Sequence, residues 1–201
     1  MRPSAVTEVV VPAAVRDLAV RSTVLKDKTV FRVGAPARHV YFLLHGRVAL
    51  HRFGPDGEEV PIHVADVGEF FAEASLHADR YHCTALALAE SEVAAIPSEA
   101  LRARVQNDPQ FAMQWMATLS SQLRRARARV ERLSIRSASE RVRHLLVTEG
   151  HGKMPTYTLP GTVRELASQL GLTHEALYRT LAAMQRSGII ERVDQDISLR
   201  R

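Results

Sequence analysis

The residues best suited to chemistry lie between positions 162 and 179. Thr162 stands three residues before Glu165, and Thr173 opens the run His174, Glu175, Ala176, Leu177, Tyr178, Arg179. An arginine can bond guanine bidentately in the major groove of DNA, and a carboxylate can accept from cytosine N4. Glu175 and Arg179 are four apart, so on a helix they share a face and steady one another. Thr162 and Thr173, at two helix starts, offer hydroxyls and backbone N–H groups to phosphate. The chemistry expected of Thr162, Thr173, His174, Glu175, Tyr178 and Arg179 is recognition of double-stranded DNA. The plainer alternative is a helical hairpin carrying a surface ion pair.

That chemistry needs two helices held at a fixed angle, and the sequence supplies the means. Thr162 and Glu165 have capping-box spacing. Ala167 is small where two helices would cross. Gly171 suits a left-handed helix end, where a Cβ costs energy. Thr173 caps the second helix, and Leu166, Leu170, Leu172, Leu177 and Leu181 face one core. This spells a helix-turn-helix whose second helix enters the major groove. Residues 189–190 and 197–199 read as two strands around Asp194-Gln195-Asp196, a wing. Ahead of it, a helix is expected over 139–148, ending near Gly150-His151-Gly152, and an extended piece over 156–159 stops at Pro160-Gly161.

Upstream, Asp108 and Pro109 suit the cap and first position of a long helix, since no Pro or Gly follows until Gly150. Met116, Leu119, Leu123, Ala126, Val130 and Leu133 are spaced 3, 4, 3, 4, 3 along it, a heptad seam. Arg124, Arg125, Arg127, Arg129, Glu131 and Arg132 occupy its other faces. A narrow seam with charged flanks predicts pairing with a second copy of the chain; a helix packed on its own domain shows a broader apolar face.

The first half has another texture. Residues 1–22 are loosely patterned, with a short helix expected around 13–20. Short apolar stretches follow at 29–33, 39–44, 47–53, 59–64, 83–88 and 92–97, separated by Gly34-Ala35-Pro36, Gly46, Gly54-Pro55-Asp56-Gly57 and Gly68. Many short strands with regular turns predict a β-sandwich or barrel. The fold class expected is therefore α+β: a β-roll of cupin-like jelly-roll type, a long dimerisation helix and a C-terminal winged helix-turn-helix. The corresponding domains are 1–107, 108–136 and 137–201.

Charge agrees with this division. Residues 1–107 hold 12 Lys/Arg and 13 Asp/Glu, whereas residues 108–201 hold 15 and 9. A basic C-terminal half fits contact with phosphates, although Arg-rich helices also serve solubility. No apolar run reaches the roughly 18–20 residues of a membrane span, and no signal peptide is legible. The expectation is a cytoplasmic protein without a membrane partner. Its one cysteine, Cys83, excludes an internal disulfide and an all-cysteine zinc or iron–sulfur site.

Taken in order, these residues resemble the Crp/Fnr superfamily of transcription regulators. In the first half the resemblance rests on Gly34, on Tyr41-Phe42-Leu43-Leu44-His45-Gly46-Arg47-Val48, on Gly57 and on Gly68-Glu69-Phe70-Phe71-Ala72-Glu73. In the second it rests on the long helix and on Leu172-Thr173-His174-Glu175-Ala176-Leu177-Tyr178-Arg179. It implies a cyclic-nucleotide-binding-type β-roll, a homodimer, a palindromic operator with half-site centres about one helical turn apart, and RNA polymerase as a further candidate partner. Glu175 and Arg179 match base-contacting positions, His174 a variable one, and Tyr178 stands where relatives often have Gly or Ser. A signal at the roll would then alter the packing of the 116–133 helix pair and reorient the recognition helices.

The resemblance also implies an effector pocket around Gly68, Phe71, Ala72, Glu73, Arg80, His82, Cys83 and Thr84. Relatives that bind cyclic AMP use a Glu for the ribose and, ten residues on, an Arg for the phosphate. Glu73 matches the first, but the second falls on Cys83. Ala72 replaces the usual Gly, and Arg80 is three positions displaced. High-affinity cyclic AMP binding is therefore not expected; the effector and any cofactor stay unknown. His77, His82 and Cys83 are candidate ligands for haem or zinc, against a reading as surface or structural groups. Cys83 as a redox switch stands against Cys83 as a buried small hydrophobe. A β-barrel metalloenzyme lacks its usual His-x-His pair, and no catalytic residue is assigned. A ligand-binding module whose basic tail meets another protein is disfavoured by the winged-helix pattern.

Overall fold

The computed structural model of the chain describes residues 9–54, 56–57 and 59–200. Residues 1–8 of the expected roll domain, Pro55 of the expected 54–57 turn and Arg201 lie outside the described residues. The chain forms two compact units that divide between Trp115 and Met116.

The first unit is an antiparallel β-roll of two four-stranded sheets. Strands β1 (Val20–Val24), β8 (Ser91–Pro97), β3 (His39–His45) and β6 (Phe70–Phe71) form one sheet in that order; β2 (Thr29–Phe31), β7 (Thr84–Ala87), β4 (Val48–Phe53) and β5 (Glu59–Ala65) form the other. Strand β3 is apolar along nearly its whole length because both of its faces are covered. Alternate side chains point to opposite faces. Tyr41 and Leu43 join Phe31, Val48, Leu50, Phe71, Ala85 and Val93 in a core drawn from both sheets. Val40, Phe42 and Leu44 pack on the other face with Val11, Val15, Ile96, Leu101, Phe111 and Trp115. Each such large apolar side chain, fully buried, contributes about 1.5–3 kcal/mol.

Several elements depart from the sequence expectation, among them the short strand β6, which was not foreseen. The predicted helix around 13–20 is a 3-10 turn over Ala13–Leu18 that gives way to strand β1 at Val20. Helix α1 (Ser98–Asn107), which follows β8 and buries Ser98 and Leu101, was not foreseen. After it, Asp108 Oδ1 accepts from Phe111 N at 3.0 Å and starts helix α2 (Pro109–Ser134), as the Asp-Pro pair predicts.

In the second unit, α2 ends at Ser134, and Ser137 caps helix α3 (Ala138–Glu149). Strand β9 (Thr156–Thr158) leads to helices α4 (Val163–Gln169) and α5 (His174–Arg186). Strands β10 (Ile190–Val193) and β11 (Asp196–Leu199) form the wing hairpin, and β11 also pairs with β9. Val142, Leu145, Leu146, Leu166, Leu170, Leu177, Leu181, Met184, Ile190 and Ile197 make its core.

Candidate nucleic-acid interface and effector pocket

The helix-turn-helix is assembled by the local devices the sequence announces. Thr162 Oγ1 accepts from Glu165 N at 3.2 Å, and Glu165 Oε2 accepts from Thr162 N at 2.7 Å, a complete capping box. Ala167 is buried, and its carbonyl accepts from Leu172 N at 2.9 Å across the turn. Gly171 has φ of +61°. Thr173 Oγ1 accepts from Ala176 N at 3.1 Å and opens α5.

With Leu177 and Leu181 buried inward, Thr173, His174, Glu175, Tyr178 and Arg179 are all exposed, as is Thr162. The His174 and Tyr178 rings lie 6.2 Å apart, one turn from each other. Glu175 is held below the usual carboxylate range, first by its own backbone N–H and the Thr173 hydroxyl, with smaller help from His174 and Arg179. Arg179, four residues on along the same face, gives the carboxylate the smaller electrostatic help that this spacing leads one to expect. A set of exposed donors with one ionised acceptor on one helix face can read base edges.

The six seam residues Met116, Leu119, Leu123, Ala126, Val130 and Leu133 are exposed in the single chain. Five of them are large and apolar. One flanking residue does not fit the solvated face assigned to it. Arg132 is 2% exposed, ion-paired with Glu149 and 3.3 Å from Thr148 Oγ1, so it fastens α2 to α3. The sequence reading also passed over Arg141. Its guanidinium bonds four backbone carbonyls, and nothing in its local sequence signals this.

In the roll, the candidate pocket residues differ in their surroundings. Phe71, Ala72 and Cys83 are buried in the roll core. Phe71 belongs to a stacked aromatic set: Phe31 and Tyr81 are 3.9 Å apart, Phe31 and Tyr41 5.5 Å, and Tyr41 and Phe71 5.2 Å. Burial, reinforced by Tyr81, pushes the Tyr41 phenol up and keeps it neutral. Gly68 turns the chain at φ +87°, and Ala72 holds a left-handed φ of +66°, so a Cβ occupies a conformation that favours glycine. Thr84 Oγ1 accepts from Val33 N at 3.1 Å.

Glu73 sits half-buried beside a small ionisable group. Burial raises its carboxyl above the ordinary range, with Glu69 adding to the rise and His63 opposing it. His63 Nε2 is 3.1 Å from Glu69 Oε2. Burial alone would lower His63, but Glu69, Glu73 and Asp66 outweigh it and the imidazole is raised.

The displaced Arg80 is exposed, and its Nη1 donates to Gly34 O at 2.6 Å. His82 Nδ1 is 2.9 Å from Ser75 Oγ, and burial followed by Arg52 lowers its pKa. Burial pushes the Cys83 thiol up, which favours the small-hydrophobe reading over a thiolate switch. His77 is exposed, and among the described residues no three His, Cys, Asp or Glu groups come together to hold a metal ion. His77, His82 and Cys83 are therefore not united as a metal site.

Comparison with known proteins covers both units. Residues 21–108 match the cyclic nucleotide-binding domain, and residues 140–201 match the Crp-like helix-turn-helix domain. The global nitrogen regulator of Nostoc sp. is 28% identical over 175 residues, spanning 82% of this chain and 78% of that protein. The CRP-like cAMP-activated global transcriptional regulator of Mycobacterium tuberculosis is 28% identical over 175 residues, spanning 82% and 77%. The structure of FixK2 from Bradyrhizobium japonicum shares the fold at a TM-score of 0.73 and 24% identity, covering 91% of this chain and 93% of that one. Among the described residues, no helix is long and apolar enough to cross a membrane.

Proposed function

Because the chain belongs to the Crp/Fnr superfamily of DNA-binding transcription regulators, whose members are not enzymes, we propose that it works as a homodimer on a palindromic operator, under an effector other than tightly bound cyclic AMP. The observation that carries the reading is the exposed start of α5. There Thr173, His174, Glu175, Tyr178 and Arg179 project from a capped helix whose opposite face is buried. The exposed 116–133 seam supports pairing, which would present two such helices with two-fold symmetry. Thr162 would hold phosphate while Glu175 and Arg179 read base edges.

The effector half of the reading rests on chemistry at the roll. Cyclic AMP carries a phosphodiester anion, and the position expected to neutralise it holds the buried, uncharged Cys83. The aromatic stack also fills space between the sheets. The test has two arms. Selection from a pool of random duplexes, with light scattering on the free protein, is expected to yield a two-fold symmetric site and a dimer. A monomer that enriches no site overturns the DNA reading. Calorimetric titration with cyclic AMP is expected to give no binding at about micromolar concentration, and a Kd near or below that level overturns the effector statement.

A further inference from the structure

The helix proposed to pair the chains and the helix proposed to read DNA are separate elements. Their relative angle decides whether two recognition helices meet two half-sites together. Between α2 and α3 lie only residues 135–137, with neither Pro nor Gly to stiffen or terminate them. Something outside the linker must fix that angle.

We infer that Arg141 is a positioning residue for DNA recognition, fastening the end of the long helix to the turn of the helix-turn-helix. The inference rests on the dimeric reading above. Arg141 lies on α3, half-buried, and its guanidinium reaches two ways. Toward α2, its Nε donates to Ile135 O at 2.6 Å and its Nη2 to Leu133 O at 3.3 Å. Toward α4, its Nη1 donates to Leu170 O at 2.8 Å and to Gly171 O at 3.0 Å. Leu133 O lies in the last turn of α2 and Leu170 O at the cap of α4, with Ile135 O and Gly171 O just beyond each end. Such groups have no partner within their own helix, and they carry the negative end of its dipole. One cation therefore closes two helix ends at once.

Only the planar five-donor fork of arginine suits four acceptors in two directions; a lysine ammonium offers three donors at one point. A second observation shows how close the two ends lie. A Cβ built on Gly171 would sit 2.9 Å from Leu133 Cδ2 and 3.1 Å from Arg141 Nη1. On the other side of the linker, the Arg132–Glu149 pair and the 3.4 Å His144–Glu131 contact hold α2 to α3. With those in place, α3 moves with α2; the shared core of Val142, Leu145 and Leu146 with Leu166, Leu170 and Leu177 seats α4 and α5 on α3, and Arg141 adds the direct polar tie from the end of α2 to the turn before α5.

The experiment uses the full chain with Arg141→Gln and Arg141→Lys, each checked by circular dichroism and light scattering. Two readouts are compared with the unsubstituted protein. One is trypsin cleavage after Arg136 in the linker, located by mass spectrometry without DNA. The other is the affinity ratio between the selected operator and versions with one base pair added or removed at its centre, a change of about 3.4 Å in half-site separation. Both variants are expected to be cut faster at Arg136. Both should lose about tenfold in spacing discrimination, the scale of one charge-assisted hydrogen bond. Full rescue by lysine would mean that charge alone matters and would overturn the inference. Unchanged cleavage, or faster cleavage with unchanged discrimination, would also overturn it. If Arg141→Gln fails to fold, Arg141→Lys decides. If the unsubstituted chain selects no operator, the dimeric reading fails, and the cleavage readout alone decides whether Arg141 fastens the two helix ends.

Discussion

Replacing Gly171 with Ala separates backbone strain from side-chain contact, because Gly188 in the same unit provides a matched control. Gly171 has φ of +61° and Gly188 has φ of +69°, so both hold the left-handed conformation that L-residues resist. That conformation costs an alanine about 1–2 kcal/mol. The loss of unfolded-chain freedom returns about 0.4–1 kcal/mol. Gly188→Ala meets nothing within 4 Å, so its net cost should be about 1 kcal/mol. Gly171→Ala meets Leu133 Cδ2 at 2.9 Å and Arg141 Nη1 at 3.1 Å. Pushing Leu133 off its rotamer costs about 0.5–1.5 kcal/mol, and weakening an Arg141 bond costs about 1 kcal/mol more. The total for Gly171→Ala is then roughly 2.5–3.5 kcal/mol. In scanning calorimetry of the full chain, a domain of this size shifts by about 4–8 °C per kcal/mol. The melting of the second unit should therefore fall at least twice as far in Gly171→Ala as in Gly188→Ala. Leu133→Ala added to Gly171→Ala should restore part of the loss, since it removes the nearest obstructing atom. Equal shifts for the two glycine variants would refute the close approach of the turn to the end of α2.

Leu123→Lys places a charge in the exposed apolar seam, and a dimer whose mass is unchanged by light scattering would refute that seam. Arg179→Ala should cost about 1–3 kcal/mol in operator affinity and relax preference at one base pair; competition binding that keeps full discrimination would remove its base-reading role. Glu73→Gln should raise thermal stability at neutral and alkaline pH, with a gain that shrinks in acid. The sign follows because the folded carboxyl holds its proton more tightly than the unfolded one. Folded-state stability is therefore fully present below the ordinary Glu range and declines as pH rises through the raised value. His63, raised as well, adds loss in the same direction from its own ordinary value upward. A melting profile in which Glu73→Gln loses more stability at neutral pH than in acid would show that the carboxylate makes a net favourable contact.

The DNA-binding unit was legible because its signals are local. A capping box spans four residues, and the Gly171 turn and the leucine pattern follow close behind it, so spacing in sequence is spacing in space. The roll was legible as short apolar stretches, and the six strands expected from them fall within a residue or two of their expected ends. What escaped has physical reasons. Strand β1 is exposed along Val20, Arg21, Ser22 and Thr23, so no burial alternation marks it; it is a strand because it pairs with β8. Helix α1 buries only Ser98 and Leu101, too little to draw an amphipathic stripe. Arg132 reads as one more surface arginine until Glu149, 17 positions on, folds back against it.

The effector resists reading from sequence for a related reason, and the arginines near the pocket residues show why. A phosphate site needs one guanidinium left unsatisfied by the protein and aimed at the anion. In this roll Arg80 donates to Gly34 O, Arg52 to His82 O at 3.0 Å, and Arg102 to Leu76 O at 2.7 Å. Each is tied to a backbone carbonyl at or beside the segments that would form the pocket. Each keeps further N–H donors, but its anchor fixes where the guanidinium points, and a ligand that needs it elsewhere must break that bond at a cost in affinity. Glu73 shows the converse: it keeps the position that matches the ribose partner, but its burial favours the protonated form. A neutral carboxyl can donate a hydrogen bond as well as accept one. Ligand preference in such a roll is therefore set by how the protein already satisfies its polar groups, not by whether arginine and glutamate are present nearby in the chain.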